Sequence, residues 1–190
     1  MTPETKVHKL KPPLKESDVA GLKIGDRVSI TGLMYGARDA AHKNMVEMLD
    51  KGQPLPVDLR GHIIYYVGPT PAPKGRAIGS AGPTTSGRMD KYAPRMYEYG
   101  VKATVGKGER SELVVKSMVK NKAVYLVAVG GIGAILAQRI KSARVVAWPE
   151  LGTEALWEFK VEDFPAIVAN DVSGNDVYKE GVKYWAEKLK

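Results

Sequence analysis

Between residues 68 and 88 the chain reads GPTPAPKGRAIGSAGPTTSGR, and neither a regular helix nor a central strand can be built from it. Proline removes backbone donors, and glycine withdraws the side chains that would pack an element. A loop this long inside a compact domain is as a rule either functional or disordered. Its residues are small, and its hydroxyls, Thr84, Thr85 and Ser86, collect at the late end. It therefore reads as an ordered loop that builds a site, and the rest of the chain must fold around it.

Before the loop, residues 1–17 are polar and contain proline, which suggests an extended arm ahead of a single domain over 18–190. Ser17–Leu22 suits a short turn or helix with Ser17 or Asp18 as cap. Asp26–Leu33 alternates apolar and polar residues as a strand does. Ala37–Asp50 carries Ala41, Met45, Met48 and Leu49 at helical spacing, closed by Lys51-Gly52. Arg60–Val67 is a second β-rich run.

After the loop the pattern alternates. Strands are expected at Val101–Val105, at the near-continuous apolar run Ala123–Val129, at Arg144–Trp148 as a buried strand, and at Ala155–Val161 and Ala166–Ala169. Helices are expected at Ser111–Lys120 with Ser111 as cap, at Ile132–Ser142, and at Tyr178–Lys190. Ser173-Gly174-Asn175 is a turn. There are no internal repeats. The architecture this implies is α/β, a mixed sheet with flanking helices.

The 190 residues suit one domain. No stretch reaches the roughly 18 apolar residues of a bilayer span, and the first residues lack the apolar run of a signal peptide. A cytoplasmic protein with no membrane partner is the expectation. The chain has no cysteine, so it cannot hold an iron–sulfur cluster through thiolates. Its net charge of +8 invites an anionic partner: nucleic acid, a small anionic substrate or an acidic protein. The positive residues are spread out, with no block of like charge and no RNA- or DNA-binding motif, which argues against nucleic acid. A non-catalytic basic binding module stays open as an alternative.

Four clusters could carry chemistry. Gly130-Gly131-Ile132-Gly133 follows an apolar strand and precedes a helix, the context of a phosphate-cradling turn. It lacks the G-x-G-x-x-G spacing, and close helix–strand packing explains it better. Gly82–Asp90 sets three hydroxyls before Arg88, whose fork can bind both oxygens of a carboxylate; a capped turn with a surface arginine fits equally well. Tyr35–Lys43 puts Arg38 at a strand end, with Asp39 placed to cap a helix and His42 better read as a helix-surface or partly packed residue than a catalytic one. Gly106–Arg110 holds Lys107 between glycines. His8, His42 and His62 show no metal-ligand spacing. Arg38, Arg88 and Lys107 together suit a small dicarboxylate, because two carboxylates are costly to desolvate unless paired.

The segments ARDAAHK (37–43), GPTTSGRMD (82–90), GKGER (106–110), GGIGA (130–134) and ELGTEALWEFKVEDFPAIV (150–168) resemble the C-terminal domain of class I fumarases. In many archaea and bacteria that domain is a separate β subunit, and the same domain serves L(+)-tartrate dehydratase. The resemblance runs in order over nearly the whole chain, and WEFKVEDFPAIVAND looks more like the fumarase branch. It implies a swivelling β/β/α domain and reversible hydration of fumarate to (S)-malate. It also implies an α subunit that holds a [4Fe–4S] cluster by three cysteines, with one iron left open as a Lewis acid. On this chain it implies Arg38, Arg88 and Lys107 as the dicarboxylate clamp and Thr84 as the base, or as a substrate-orienting group. The general acid would belong to the α subunit, in an αβ or α2β2 assembly.

Overall fold

In the computed structural model residues 7–189 are described, and the first six residues of the expected arm and Lys190 lie outside them. From Val7 onward the arm is part of the fold. Strand β1 (Val7–Leu10) pairs in parallel with β2 (Arg27–Gly36), with Leu10 and Leu14 buried in the core. The hydrophobic side chains spaced among its lysines and prolines account for the docking. A one-turn helix, α1 (Glu16–Ala20), follows; Asp18 serves it by accepting the Lys15 N–H at 2.7 Å.

Helix α2 (Asp39–Asp50) leads to β3 (Ile63–Tyr65), the Gly/Pro loop and a 3-10 turn, Ser86–Met89. Next come α3 (Ala93–Tyr99), β4 (Ala103–Gly106), α4 (Glu112–Asn121) and β5 (Val124–Val127). Strands β2, β3, β4 and β5 lie side by side, all parallel, in chain order. The chain ends with α5 (Gly133–Gln138), β6 (Ile140–Ala147), a 3-10 turn at Pro149–Glu154, β7 (Leu156–Asn170) and α6 (Val177–Lys188).

β7 closes the sheet. It runs antiparallel to β2 from Arg27↔Ile167 to Gly36↔Trp157, and its other side meets β5 through Asn170, Val168 and Ile167 and β6 through Leu156–Val161. Thus β2, β3, β4, β5 and β7 form a closed ring of strands. Alternation along the strands then makes two cores. One, with Ile30, Met34, Ile63, Tyr65, Val105, Leu126, Phe159 and Phe164, lies between the strands, and Ile78 and Ala81 of the Gly/Pro loop pack into it. The other sets Ile64, Tyr66 and Tyr125 against Ala41 and Met45 of α2, Met96 and Tyr97 of α3, and Val114 and Met118 of α4. The mixed α/β sheet with flanking helices is as expected, and the barrel-like closure agrees with a β/β/α domain.

Four local expectations change. Ile132–Ser142 is helical only to Gln138, because from Ile140 the backbone bonds to β7 and strand pairing outweighs the helical spacing. The strand expected at Arg144–Trp148 starts earlier, at Ile140, and is a half-exposed edge, not a buried strand. The two strands at 155–161 and 166–169 are one, bent where Asp163 adopts a φ of 48° and its N–H bonds to Thr31 Oγ1 at 3.0 Å. Pro165 sits between the β6- and β5-paired stretches, where neither strand borders β7. Helix α3 had no distinct sequence signal; Pro94 in its first turn and Gly100 at its end bracket it.

Gly36 ends β2 between β3 and β7, and a Cβ there would be driven into the buried Phe159 ring. Gly36→Ala should cost about 1–3 kcal/mol by overpacking. Urea denaturation should show the midpoint falling with the m-value unchanged.

Candidate functional site

The carboxyl ends of the parallel strands β2, β3, β4 and β5 lead directly into the four clusters singled out above. Gly36 leads to Arg38, Tyr65 to the Gly/Pro loop, Gly106 to Lys107, and Val127 to the glycine turn. In parallel α/β sheets and barrels, ligands gather at the carboxyl ends of the strands, and here these four loops meet there.

The Gly/Pro loop is ordered by backbone bonds. Tyr65 Oη donates to the Ala81 carbonyl at 2.6 Å from within the core. Thr84 N–H donates to Tyr66 O at 2.7 Å, the Thr84 carbonyl accepts from Lys107 N–H at 3.1 Å, and Ser86 N–H donates to Lys107 O at 2.8 Å. Thr84 and Lys107 are thereby joined through their main chains. The glycine turn packs on the same loop: Ala81 N–H donates to Gly133 O at 3.0 Å, and a Cβ on Gly133 would lie 2.8 Å from Gly82 N. Gly133 is needed for that close approach. The Lys107 stem lies against Gly130, where a Cβ would sit 3.7 Å from it.

Arg38 and Arg88 are brought together by Asp39. Arg88 Nε donates to Asp39 Oδ1 at 3.1 Å and Arg88 Nη2 lies 2.8 Å from Oδ2, while Arg38 Nε lies 3.8 Å from Oδ2. Arg38 is the residue preceding α2 and its side chain is 21% exposed; that of Arg88, from the 3-10 turn, is 49% exposed. Asp39 opens α2, but its carboxylate goes to the arginines. The sequence suggested a cap because aspartate at a helix start usually is one.

Two buried groups hold this arrangement from beneath. Nδ1 of His42 lies 2.8 Å from the Arg38 carbonyl, which can only accept, so Nδ1 carries the proton. Nε2 is then a bare acceptor, buried and without a partner among the described residues. Burial pushes the imidazole down to about 4, so His42 is neutral and packs against Tyr66 and Tyr92. The sequence left it between a helix-surface and a partly packed residue; the fold buries it completely. Arg110, whose side chain is 0% exposed, donates from Nε to Asp90 Oδ1 at 2.8 Å and lies over the rings of Tyr66 and Tyr125. The other Asp90 oxygen accepts the Ser111 N–H at 2.7 Å; Ser111 stands at the cap position of α4, as expected, but its hydroxyl makes no capping bond. This pair ties the loop of Arg88 to the loop of Lys107. Ser86 Oγ and Tyr125 Oη add a third tie at 2.7 Å, with Tyr125 Oη donating on to Gly108 O at 2.9 Å.

The sequence also missed Glu154. It arrives from the turn before β7, its Oε1 lies 3.1 Å from Arg38 Nη2, and its Oε2 accepts the Ala40 N–H at 3.0 Å. Nothing local marks it, since the contact depends on how β7 closes the sheet. No group of three or more His, Cys, Asp or Glu side chains suits a metal ion among the described residues. No helix among them is long and apolar enough to cross a membrane.

The family described as "Fumarase C-terminus" matches residues 2–181. The chain belongs to this family. Fumarate hydratase 2 of Leishmania major is 45% identical over 159 residues, 83% of this chain and 28% of that protein. The anaerobic class I fumarate hydratase of Escherichia coli K12 is 41% identical over 172 residues, 88% of this chain and 31% of that protein. A Methanocaldococcus jannaschii protein, provisionally named L(+)-tartrate dehydratase subunit beta, is 41% identical over 182 residues, 93% of both chains. The chain thus spans about a third of the fumarate hydratases it matches, and nearly all of the archaeal protein. The relatives named as fumarate hydratases are hydro-lyases.

Two measurements probe the ties beneath the fumarase-domain site. Asp90→Ala leaves the Arg110 charge buried without its partner and should cost about 3–5 kcal/mol in chemical denaturation. His42 is kept neutral in the fold while the unfolded chain takes up a proton near pH 6.5. Stability should therefore be full above that pH and fall by about 2 kcal/mol between pH 6.5 and 5 on its account. His62 is also lowered by burial, so the difference between wild type and His42→Gln isolates the His42 share of the slope.

Proposed function

We propose that this chain is the cluster-free β subunit of a two-subunit class I fumarase-type hydro-lyase that interconverts fumarate and (S)-malate. The observation that carries the reading is the meeting of Arg38 and Arg88 on one carboxylate, Asp39, at the edge where Thr84 and Lys107 are also joined. Two guanidinium groups and an ammonium suit a dicarboxylate, since the N–H groups that Asp39 and Glu154 leave over can donate to carboxylate oxygens and Lys107 forms no ion pair among the described residues.

With no cysteine, this chain does not fit as the holder of a thiolate-bound cluster. A [4Fe–4S] cluster, if the reaction runs as the resemblance implies, belongs to an α subunit that completes a hetero-oligomer in the cytoplasm. The exposure of Arg88 and Lys107 supports a site that a second surface covers. On this chain the arginines and Lys107 bind and orient the carboxylates. Thr84 presents its hydroxyl from a main chain bonded on both sides, and as a base it would take the proton from the carbon beside a carboxylate. A threonine hydroxyl does so only if a partner accepts its own proton, and that partner would be on the α subunit.

The test is to co-express the chain with a cysteine-bearing α subunit, reconstitute it anaerobically, and follow fumarate absorbance. The isolated chain should be inactive. Arg88→Ala should lower kcat/KM by at least about 100-fold, since losing a charged hydrogen-bond partner costs roughly 3 kcal/mol. Near-wild-type turnover would refute the clamp. L(+)-tartrate is the second substrate to try, favoured by the end-to-end match to the archaeal protein. Tartrate consumed with malate inert would move the activity to that acid.

A further inference from the structure

Arg38 and Arg88 are not bare cations. Arg88, Asp39, Arg38 and Glu154 form a chain of alternating charge, anchored at its far end by the Ala40 N–H on Glu154. Two carboxylates face two guanidinium groups, so this row is neutral in formal charge. The net attraction for an anion then comes from Lys107, and the arginines supply direction.

Each guanidinium is fixed along part of its edge. Asp39 takes the Nε and Nη2 positions of Arg88 and leaves Nη1 outside that pair. Glu154 takes Nη2 of Arg38, while the stem and Nη1 of Arg38 lie against Gly68, where a Cβ would come 2.6 Å from Nη1 and 2.9 Å from Cδ. Arg38 Nε is buried and makes no hydrogen bond among the described residues. A free arginine side chain loses rotamer entropy when a ligand orders it, and one already held in place loses less.

We infer that Glu154 and Asp39 are positioning residues. They set the two guanidinium forks side by side at a fixed separation, matched to a ligand carrying two carboxylates. This rests on the dicarboxylate reading above and adds what sets its specificity: a diacid should feel the loss of either carboxylate far more than a monoacid, because only a two-point ligand depends on the separation of the forks.

The experiment uses the assembled two-subunit protein and succinate, a dicarboxylate with no hydroxyl or double bond to turn over, with acetate as the one-point comparison. Calorimetry should show Glu154→Gln and Asp39→Asn each weakening succinate at least about ten-fold, or about 1.4 kcal/mol. Acetate should change little, and Tm should stay within about 4 °C of wild type. Glu154→Asp should recover part of the loss, and Glu150→Gln, in the same turn, should change nothing. In the 15N-arginine-labelled protein, the Nε–Hε signal of Arg88 should broaden or shift in Asp39→Asn, and that of Arg38 in Glu154→Gln. Unchanged succinate affinity, tighter succinate binding, or equal losses for succinate and acetate would each overturn the inference, as would a wild-type assembly that does not bind succinate. Succinate binding with the expected dependence, in an assembly that converts neither fumarate nor tartrate, would support it while refuting the hydro-lyase reading.

Discussion

Everything at the site depends on the antiparallel ladder between β7 and β2. The parallel run from β2 to β5 is an open sheet until β7 joins its two outer strands, and closure creates an interior that Tyr65, Phe159 and Phe164 can fill. The same ladder brings the turn before β7 beside the start of α2, where Glu154 reaches Arg38 and the Ala40 N–H. Core and site are therefore coupled: the backbone bonds that shut the barrel also set the direction of a guanidinium.

The loops at the site edge are irregular but not loose. Burying a loop is costly unless its polar groups find partners. Here the Gly/Pro loop gives its backbone to Tyr65, Tyr66, Lys107 and Gly133, and buries Ile78 and Ala81 in the core. Below it, the Asp90–Arg110 pair and the Ser86–Tyr125 contact join two site loops. A buried ion pair is weak evidence for stability but strong evidence for a fixed geometry once formed, because neither partner can be withdrawn cheaply.

The clusters carrying Arg38, Arg88, Thr84 and Lys107 were legible in the sequence because each combines a special backbone need with a reactive side chain: glycine or proline next to a cation or hydroxyl. Asp39 was visible but assigned to the wrong partner, since helix-start statistics know nothing of an arginine from the next loop. Arg110 and Asp90 lie within quoted motifs, GKGER and GPTTSGRMD, yet only the fold reveals that they face each other. Glu154 also lies within a quoted segment, ELGTEALWEFKVEDFPAIV, but nothing there pointed to a contact with Arg38. Among the elements, the start of β6, Ile140–Ser142, was read as helix because its residues continue a helical spacing while its backbone is claimed by β7, and the docking of β1 was not seen because lysines and prolines masked the buried Leu10 and Leu14.

The sequence by itself determined the α/β class, the place of the irregular loop, the absence of any thiolate ligand and three loop cations, Arg38, Arg88 and Lys107, that suit a small diacid; Thr84 was singled out by the family resemblance. These follow from local chemistry: periodicity, backbone permission and side-chain type act within a few residues. Only the tertiary structure decided that the sheet closes, that Arg38 and Arg88 share Asp39, and that Glu154 completes the row. Those contacts join residues far apart in the chain: β2–β3 pairing brings Arg88 to Asp39, and the closure of β7 onto β2 brings Glu154 to Arg38.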